Sequence, residues 1–201
     1  MPMETAFRSE ERFTQEEFRT WLDRRPASDI NHYELIRGQI VMSPPAGWPH
    51  GRVGANLVRL IGTHVDANKL GHVCDSSAGY DLPSGDTLEP DVSFISNARF
   101  AAGPAPVRGQ FLRIVPDLAV EILSPSSASR DRIEKSEIYA ANGVDEYWIV
   151  DSKRYEIAVL NRDGTAFGPP EIVTSGEIPS RVLPGLAVTV DEVFADIDRD
   201  G

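Results

Sequence analysis

Hydrophobic positions recur along this chain at two different spacings, and each change of spacing marks a change of predicted element. Thr14-Gln-Glu-Glu17 has the form of a capping box. It opens a short helix through Trp21 and Leu22 that Pro26 closes off. HYELI and QIVMS flank Arg37-Gly38 and predict a β-hairpin with glycine at the turn. From His50 to about Asn68, Val53, Leu57, Leu60, Ile61 and Val65 return at three- and four-residue steps. That is the mark of an amphipathic helix with one core-facing stripe, and Gly71 is its expected stop.

HVCDSSAGYDL and LEPDVSFIS, on either side of Pro83-Ser-Gly-Asp86, predict a second strand pair. The stretch from Ala101 to Gly109, rich in proline and glycine, reads as a loop. LAVEIL is a short apolar run interrupted by one carboxylate. SPSSAS follows, then a helix from about Arg130 to Asn142 ended by Gly143. EYWIVD and YEIAVL predict further strands. The Asp163-Gly164 turn, more β-prone segments and a short helix near Asp191 complete the pattern. Strands gathered around two main helices predict an α/β fold of mixed α+β type. Its centre is a mixed β-sheet flanked by helices, with added β-hairpins. After a tail over residues 1–12, residues 13–201 form one domain, as a chain of 201 residues allows.

Composition narrows the function classes. With 41% hydrophobic residues the chain can build a core without staples, and a single cysteine, Cys74, excludes a disulfide framework or multi-cysteine metal site. The N-terminus has no apolar stretch of signal-peptide type, and no run approaches the ~20 apolar residues that span a bilayer. A cytoplasmic protein with no membrane partner is expected. The net charge of −11 argues against wholesale electrostatic attraction to nucleic acid or anionic lipid. Basic groups must then act locally, and the stretch from Arg130 to Lys135 is such a patch unless it is only a solvated helix face.

Two acidic residues stand where their surroundings would normally exclude them. In EPDVSFI, Val92 and Phe94 project to one face of a predicted strand while Glu89, Asp91 and Ser93 share the other. In LAVEIL, Glu121 alternates with Val120 and Ile122. An ionised carboxylate in a buried strand is costly unless it is paired or binds a metal. Two of them on neighbouring strands invite a hard cation, and together with one backbone carbonyl they leave positions for water and a phosphate oxygen. That donor set suits metal-assisted phosphodiester hydrolysis. Asp117 also follows a proline, but along one strand it lies roughly 13 Å from Glu121, so Asp91 is preferred. Lys135 shares a helix face with Ile138 and Tyr139 and would reach towards the same place. Its bland alternative is a surface lysine paired with Glu134 or Asp131.

These residues carry a resemblance. The sequence resembles the PD-(D/E)XK restriction-endonuclease-like superfamily and, more closely, its large bacterial Uma family. The marks are YELIRGQIVMSPP, a helix opening at His50, EPDVSFIS, PDLAVEILSPSSASRDRIEKSEIYAANGVDEYWIVD and a late LPGLAVTVDEVF. They run from about Phe13 to Ile197. The superfamily usually places lysine two residues after the strand glutamate, where this chain has Leu123. The resemblance implies that Lys135 substitutes from the following helix. It also implies that Glu34 of YELI lies near the site, as a ligand or a water-holding group, rather than as a surface hairpin carboxylate. His50 is a candidate phosphate contact; a helix-start histidine satisfied by backbone is the alternative.

The expected activity is a Mg²⁺- or Mn²⁺-dependent endonuclease acting on DNA. Asp91, Glu121 and the backbone carbonyl of Ile122 would hold the metal, and Lys135, Glu34 and His50 would assist. Superfamily nucleases often dimerise, so a homodimer is an expected assembly. The rival reading is a nuclease-fold domain kept for binding or assembly without turnover, which the acidic balance and Leu123 favour. A two-carboxylate glycosidase has little behind it, because the 8% aromatic residues do not cluster. His32, His64 and His72 show no zinc-type spacing with one another or with Cys74.

Overall fold

A strand followed by a helix and then a parallel neighbouring strand needs a crossover, and that connection dictates the centre of this fold. The structure is a computed structural model describing residues 7–124 and 131–197. In chain order the first elements are β1 (Phe7–Arg8), α1 (Gln15–Leu22), β2 (His32–Ile36), β3 (Gln39–Ser43) and α2 (His50–Asn68). Next come β4 (Gly71–Asp75), β5 (Tyr80–Asp81), β6 (Thr87–Leu88), β7 (Val92–Ser96), α3 (Asn97–Ala102) and β8 (Leu118–Ile122). A π-helical turn (Asp131–Lys135) runs into α4 (Ser136–Asn142). The last elements are β9 (Glu146–Asp151), β10 (Glu156–Asp163), β11 (Ala166–Phe167), β12 (Glu171–Val173) and α5 (Val190–Val193).

The central sheet runs β11-β10-β9-β8-β7-β4, with β12 alongside β10. Among the strands of the described residues only β8 and β9 pair in parallel, and the connection between them carries the π turn and α4. The second sheet, β1-β3-β2-β6-β5, holds the hairpin of β2 and β3. The mixed sheet, flanking helices and added hairpin are those read from the sequence pattern. Arg37 and Gly38 take positive φ at the hairpin turn, 51° and 77°, the backbone a two-residue type I′ turn requires.

Alternation along the strands separates two cores. On one face of the central sheet, Val92, Phe94, Val120, Ile122, Trp148 and Val150 meet the α2 stripe of Val53, Leu57, Ile61 and Val65. On the other, Ala119, Tyr147 and Ile149 meet Ile138 and Tyr139 of α4 and Ile36, Val41 and Tyr80 of the second sheet. A third cluster packs Phe18 of α1 against Tyr33, Leu35 and Ile40.

Several local expectations change. The predicted second strand pair splits between the sheets: β4 pairs with β7 in the central sheet, while β5 pairs with β6 in the other. Asp91 is not within a strand but one residue before β7. Gly71 does not stop α2. Lys69 does, in the left-handed conformation at φ 52°. Gly71 instead starts β4, where a Cβ would stand 2.0 Å from the Ile95 carbonyl oxygen, so only glycine fits. Residues 97–102 form the short helix α3, capped by the Ser96 hydroxyl, where the expected loop takes in Ala101 and Ala102. The expected helix from Arg130 is a π turn before it becomes α-helical at Ser136. Arg130 and most of SPSSAS lie outside the described residues. Phe7 and Arg8, in the stretch read as a tail, pair with Met42 and Val41.

Candidate active site

The alternation that sends Val120 and Ile122 into the first core turns Glu121 to the opposite face, towards α4 and the second sheet. In β2 the same rule places Glu34 on the face of Ile36, whose side chain belongs to that interlayer core. Lys135 lies about one turn before Tyr139 on the helical face that carries Ile138, and it points inward. The three side chains meet. Lys135 Nζ stands 2.8 Å from Glu34 Oε1 and 2.9 Å from Glu121 Oε1. The Tyr139 hydroxyl donates to the same Glu121 oxygen at 2.9 Å. Lys135 is 3% exposed, Glu121 4% and Glu34 5%, so the ammonium is an interior cation rather than part of a basic surface patch.

Asp91 joins this group from just before β7, the strand beside β8. One residue beyond the Val92–Val120 pair, it stands opposite Glu121 in the antiparallel register. Its Oδ2 accepts a 2.7 Å hydrogen bond from the backbone N–H of Ile122. His50, the first residue of α2, brings Nε2 to 3.3 Å from the same oxygen. The carboxylate is thus held from both sides at the end of β8. All five side chains singled out from the sequence gather at this corner of the central sheet. They form two linked groups: Glu34, Lys135 and Glu121 in the interlayer, and Asp91 with His50 beside it. Asp117 is elsewhere. It accepts from Ser96 N–H at 2.6 Å and faces Arg99 at 3.2 Å, anchoring the start of α3 at the far end of β8.

Three neighbours lie outside the set that the sequence pattern marks. Tyr139 has there only the spacing of a packing residue. Glu89, two residues before Asp91, donates its backbone N–H to Glu34 Oε1 at 2.9 Å. Its carboxylate faces His32 Nδ1 at 3.2 Å. Burial pushes the Glu89 carboxyl up, while the hydrogen bond to Glu89 raises His32 above its ordinary value. Burial also raises the Tyr139 phenol well above 10, so it remains a donor at neutral pH. A signal for His32 existed, since it shares a strand face with Glu34.

Whether these residues suit a divalent cation can be tested on their chemistry. The anionic groups are carboxylates, which hard cations prefer. Both contacts of Asp91 use Oδ2, leaving Oδ1 without a hydrogen bond among the described residues. Among those residues no group of three or more His, Cys, Asp or Glu is already arranged as a cage. Two carboxylates with a backbone carbonyl fit Mg²⁺, which keeps several of its waters and needs no all-protein cage. The residues fit.

Comparison with known proteins supports the same fold. No curated protein matches the chain. A crystal structure described as "a putative nuclease belonging to DUF820", from Anabaena variabilis ATCC 29413, superposes with a TM-score of 0.73 at 17% identity. The match covers 90% of this chain and 97% of that one, and at this identity it establishes a shared restriction-endonuclease-like fold. Among the described residues no helix is long and apolar enough to cross a membrane. A family model described as "Putative restriction endonuclease" matches residues 15–191, so this chain belongs to the Uma2 family of restriction-endonuclease-like proteins.

Proposed function

We propose that this protein is a divalent-metal-dependent endonuclease that hydrolyses phosphodiester bonds in DNA, with Mg²⁺ or Mn²⁺ as its cofactor. One observation carries the reading: a buried Lys135 ammonium, 2.9 Å from Glu121, lies next to the Asp91–Ile122 contact at the end of one strand. Asp91, Glu121 and the Ile122 carbonyl would hold the cation. When bound, the cation would polarise a phosphoryl oxygen and lower the pKa of a water.

The side chains supply position and charge. Tyr139 fixes the Glu121 carboxylate, and the Ile122 N–H fixes Asp91. Glu34 holds Lys135 so that its ammonium faces the place where negative charge grows on the phosphate. His50 supports Asp91 from the α2 side, and its ring would meet a phosphate oxygen of the substrate. Since these groups are already oriented, little rearrangement is needed as the reaction proceeds.

The test is cleavage of plasmid and single-stranded DNA with Mn²⁺, with and without EDTA. EDTA-sensitive cleavage is expected, falling at least about a hundredfold in Asp91→Ala and in Glu121→Ala. Undiminished cleavage by both variants would remove this centre from consideration. A second reading, binding or assembly without turnover, draws on the Lys135 ammonium already neutralising Glu121 and on the net charge of −11. It predicts DNA binding with no cleavage under any metal. A homodimer would present two centres to the two strands of a duplex, which light scattering of the free protein tests.

A further inference from the structure

Most of the large aromatic side chains in this fold are committed to packing. Trp148 is fully buried, and Trp21 lies against Phe18, Tyr33 and Arg25. Trp48 differs. It is 68% exposed in the loop between β3 and α2, beside the exposed Ala46 and Gly47. Among the described residues its indole makes no ring stack, hydrogen bond or ion pair. A large apolar ring left in water forgoes the free energy of burial, which an occupant stacked on it would recover.

Its location indicates which one. Trp48 precedes His50 by two residues, and His50 Nε2 is 3.3 Å from Asp91. With consecutive Cα atoms ~3.8 Å apart, the Trp48 backbone lies within about 8 Å of that of His50. Ile133, 61% exposed on the π turn, is likewise two residues from Lys135. His50 and Lys135 therefore each have an exposed apolar neighbour in the chain. A molecule of net charge −11 cannot draw in a polyanion by long-range attraction. Stacking of a base on an aromatic face adds affinity that does not come from charge, and so offsets part of that deficit.

We propose that Trp48 is a stacking platform for an unpaired nucleobase flanking the scissile phosphate, which makes single-stranded or locally opened nucleic acid the preferred substrate. The inference takes its location from the nuclease reading but is tested by binding alone. In a duplex each base already stacks on its neighbours, so the indole face has no base to accept until the strands part. Every base has such a face, so sequence preference should be slight.

The experiment is titration of intrinsic tryptophan fluorescence with a short mixed-sequence single strand and with the matching duplex. Ca²⁺ replaces Mn²⁺ so that binding is read without turnover. The wild type should show saturable quenching by the single strand and weaker binding to the duplex. By anisotropy of a labelled single strand, Trp48→Ala should bind about tenfold more weakly, a loss of roughly 1.4 kcal/mol. Trp48→Phe, which keeps a ring, should stay near the wild type. Equal affinities for wild type and Trp48→Ala, or a Phe variant as weak as Ala, would overturn the proposal. So would a wild type that binds no single strand, or self-association lost in Trp48→Ala while oligonucleotide binding persists. A protein that binds through Trp48 yet cleaves nothing loses the nuclease reading alone. One that cleaves while Trp48→Ala binds normally loses only the platform.

Discussion

A lysine ammonium taken out of water loses hydration worth several kcal/mol, and only close anionic partners offset the loss. Glu34 and Glu121 are such partners of Lys135. Removing it would leave two carboxylates facing each other in the interior. Lys135→Met should therefore destabilise the protein by roughly 3–5 kcal/mol at neutral pH, read from urea unfolding. A loss below about 1 kcal/mol would mean that the pair is not held in solution. The inward turn of this lysine was legible because Ile138 and Tyr139 share its face at helical spacing. Asp91 could be chosen over Asp117 on reach along a strand. The His32–Glu89 contact was not legible, because it joins residues that only the pairing of the second sheet with the loop before β7 brings together.

Elements were legible where one local signal decides them. The Thr14–Glu17 box caps α1 from both sides, at 3.2 and 2.8 Å, and the Arg37-Gly38 turn joins β2 to β3 as expected. They were not legible where the deciding partner is distant. Nothing local indicates that the stretch before Pro83 serves two sheets, or that Gly71 answers to the Ile95 carbonyl rather than to α2. Just before β2, Asp29 offers a test of such local contacts. Its carboxyl is held down to about 2, against 3.8, first by the Asn31 N–H and then by the Tyr33 hydroxyl, with smaller help from Arg25 and the Asn31 side chain. The folded state favours the ionised form. The contribution is therefore complete above the ordinary value and is lost as pH falls through that range. The melting temperature of the wild type should drop more steeply between pH 4 and pH 2 than that of Asp29→Asn. Parallel curves would mean that these contacts do not stabilise the fold.

At the scale of the whole molecule, two layers share one centre. Glu34 belongs to the second sheet, Glu121 to the central one, Asp91 to the residue just before β7, and Lys135 to the crossover from β8 to β9. Surface ion pairs from Arg8 to Glu134, at 2.8 Å, and from Arg37 to Glu137 tie the second sheet to the π turn and α4. The class of fold was legible from alternating strand and helix patterns, but this docking was not, because it depends on which faces meet.

That docking makes the centre a gauge of alignment. A slip of the second sheet by an ångström would lengthen the Lys135–Glu34 contact while most of either core remained packed. On heating, any cleavage activity should accordingly vanish several degrees below the cooperative melting transition, and return fully on cooling. If activity and structure disappear together, the layers move as one body. If they part, then warmth disarms the protein before it unfolds it.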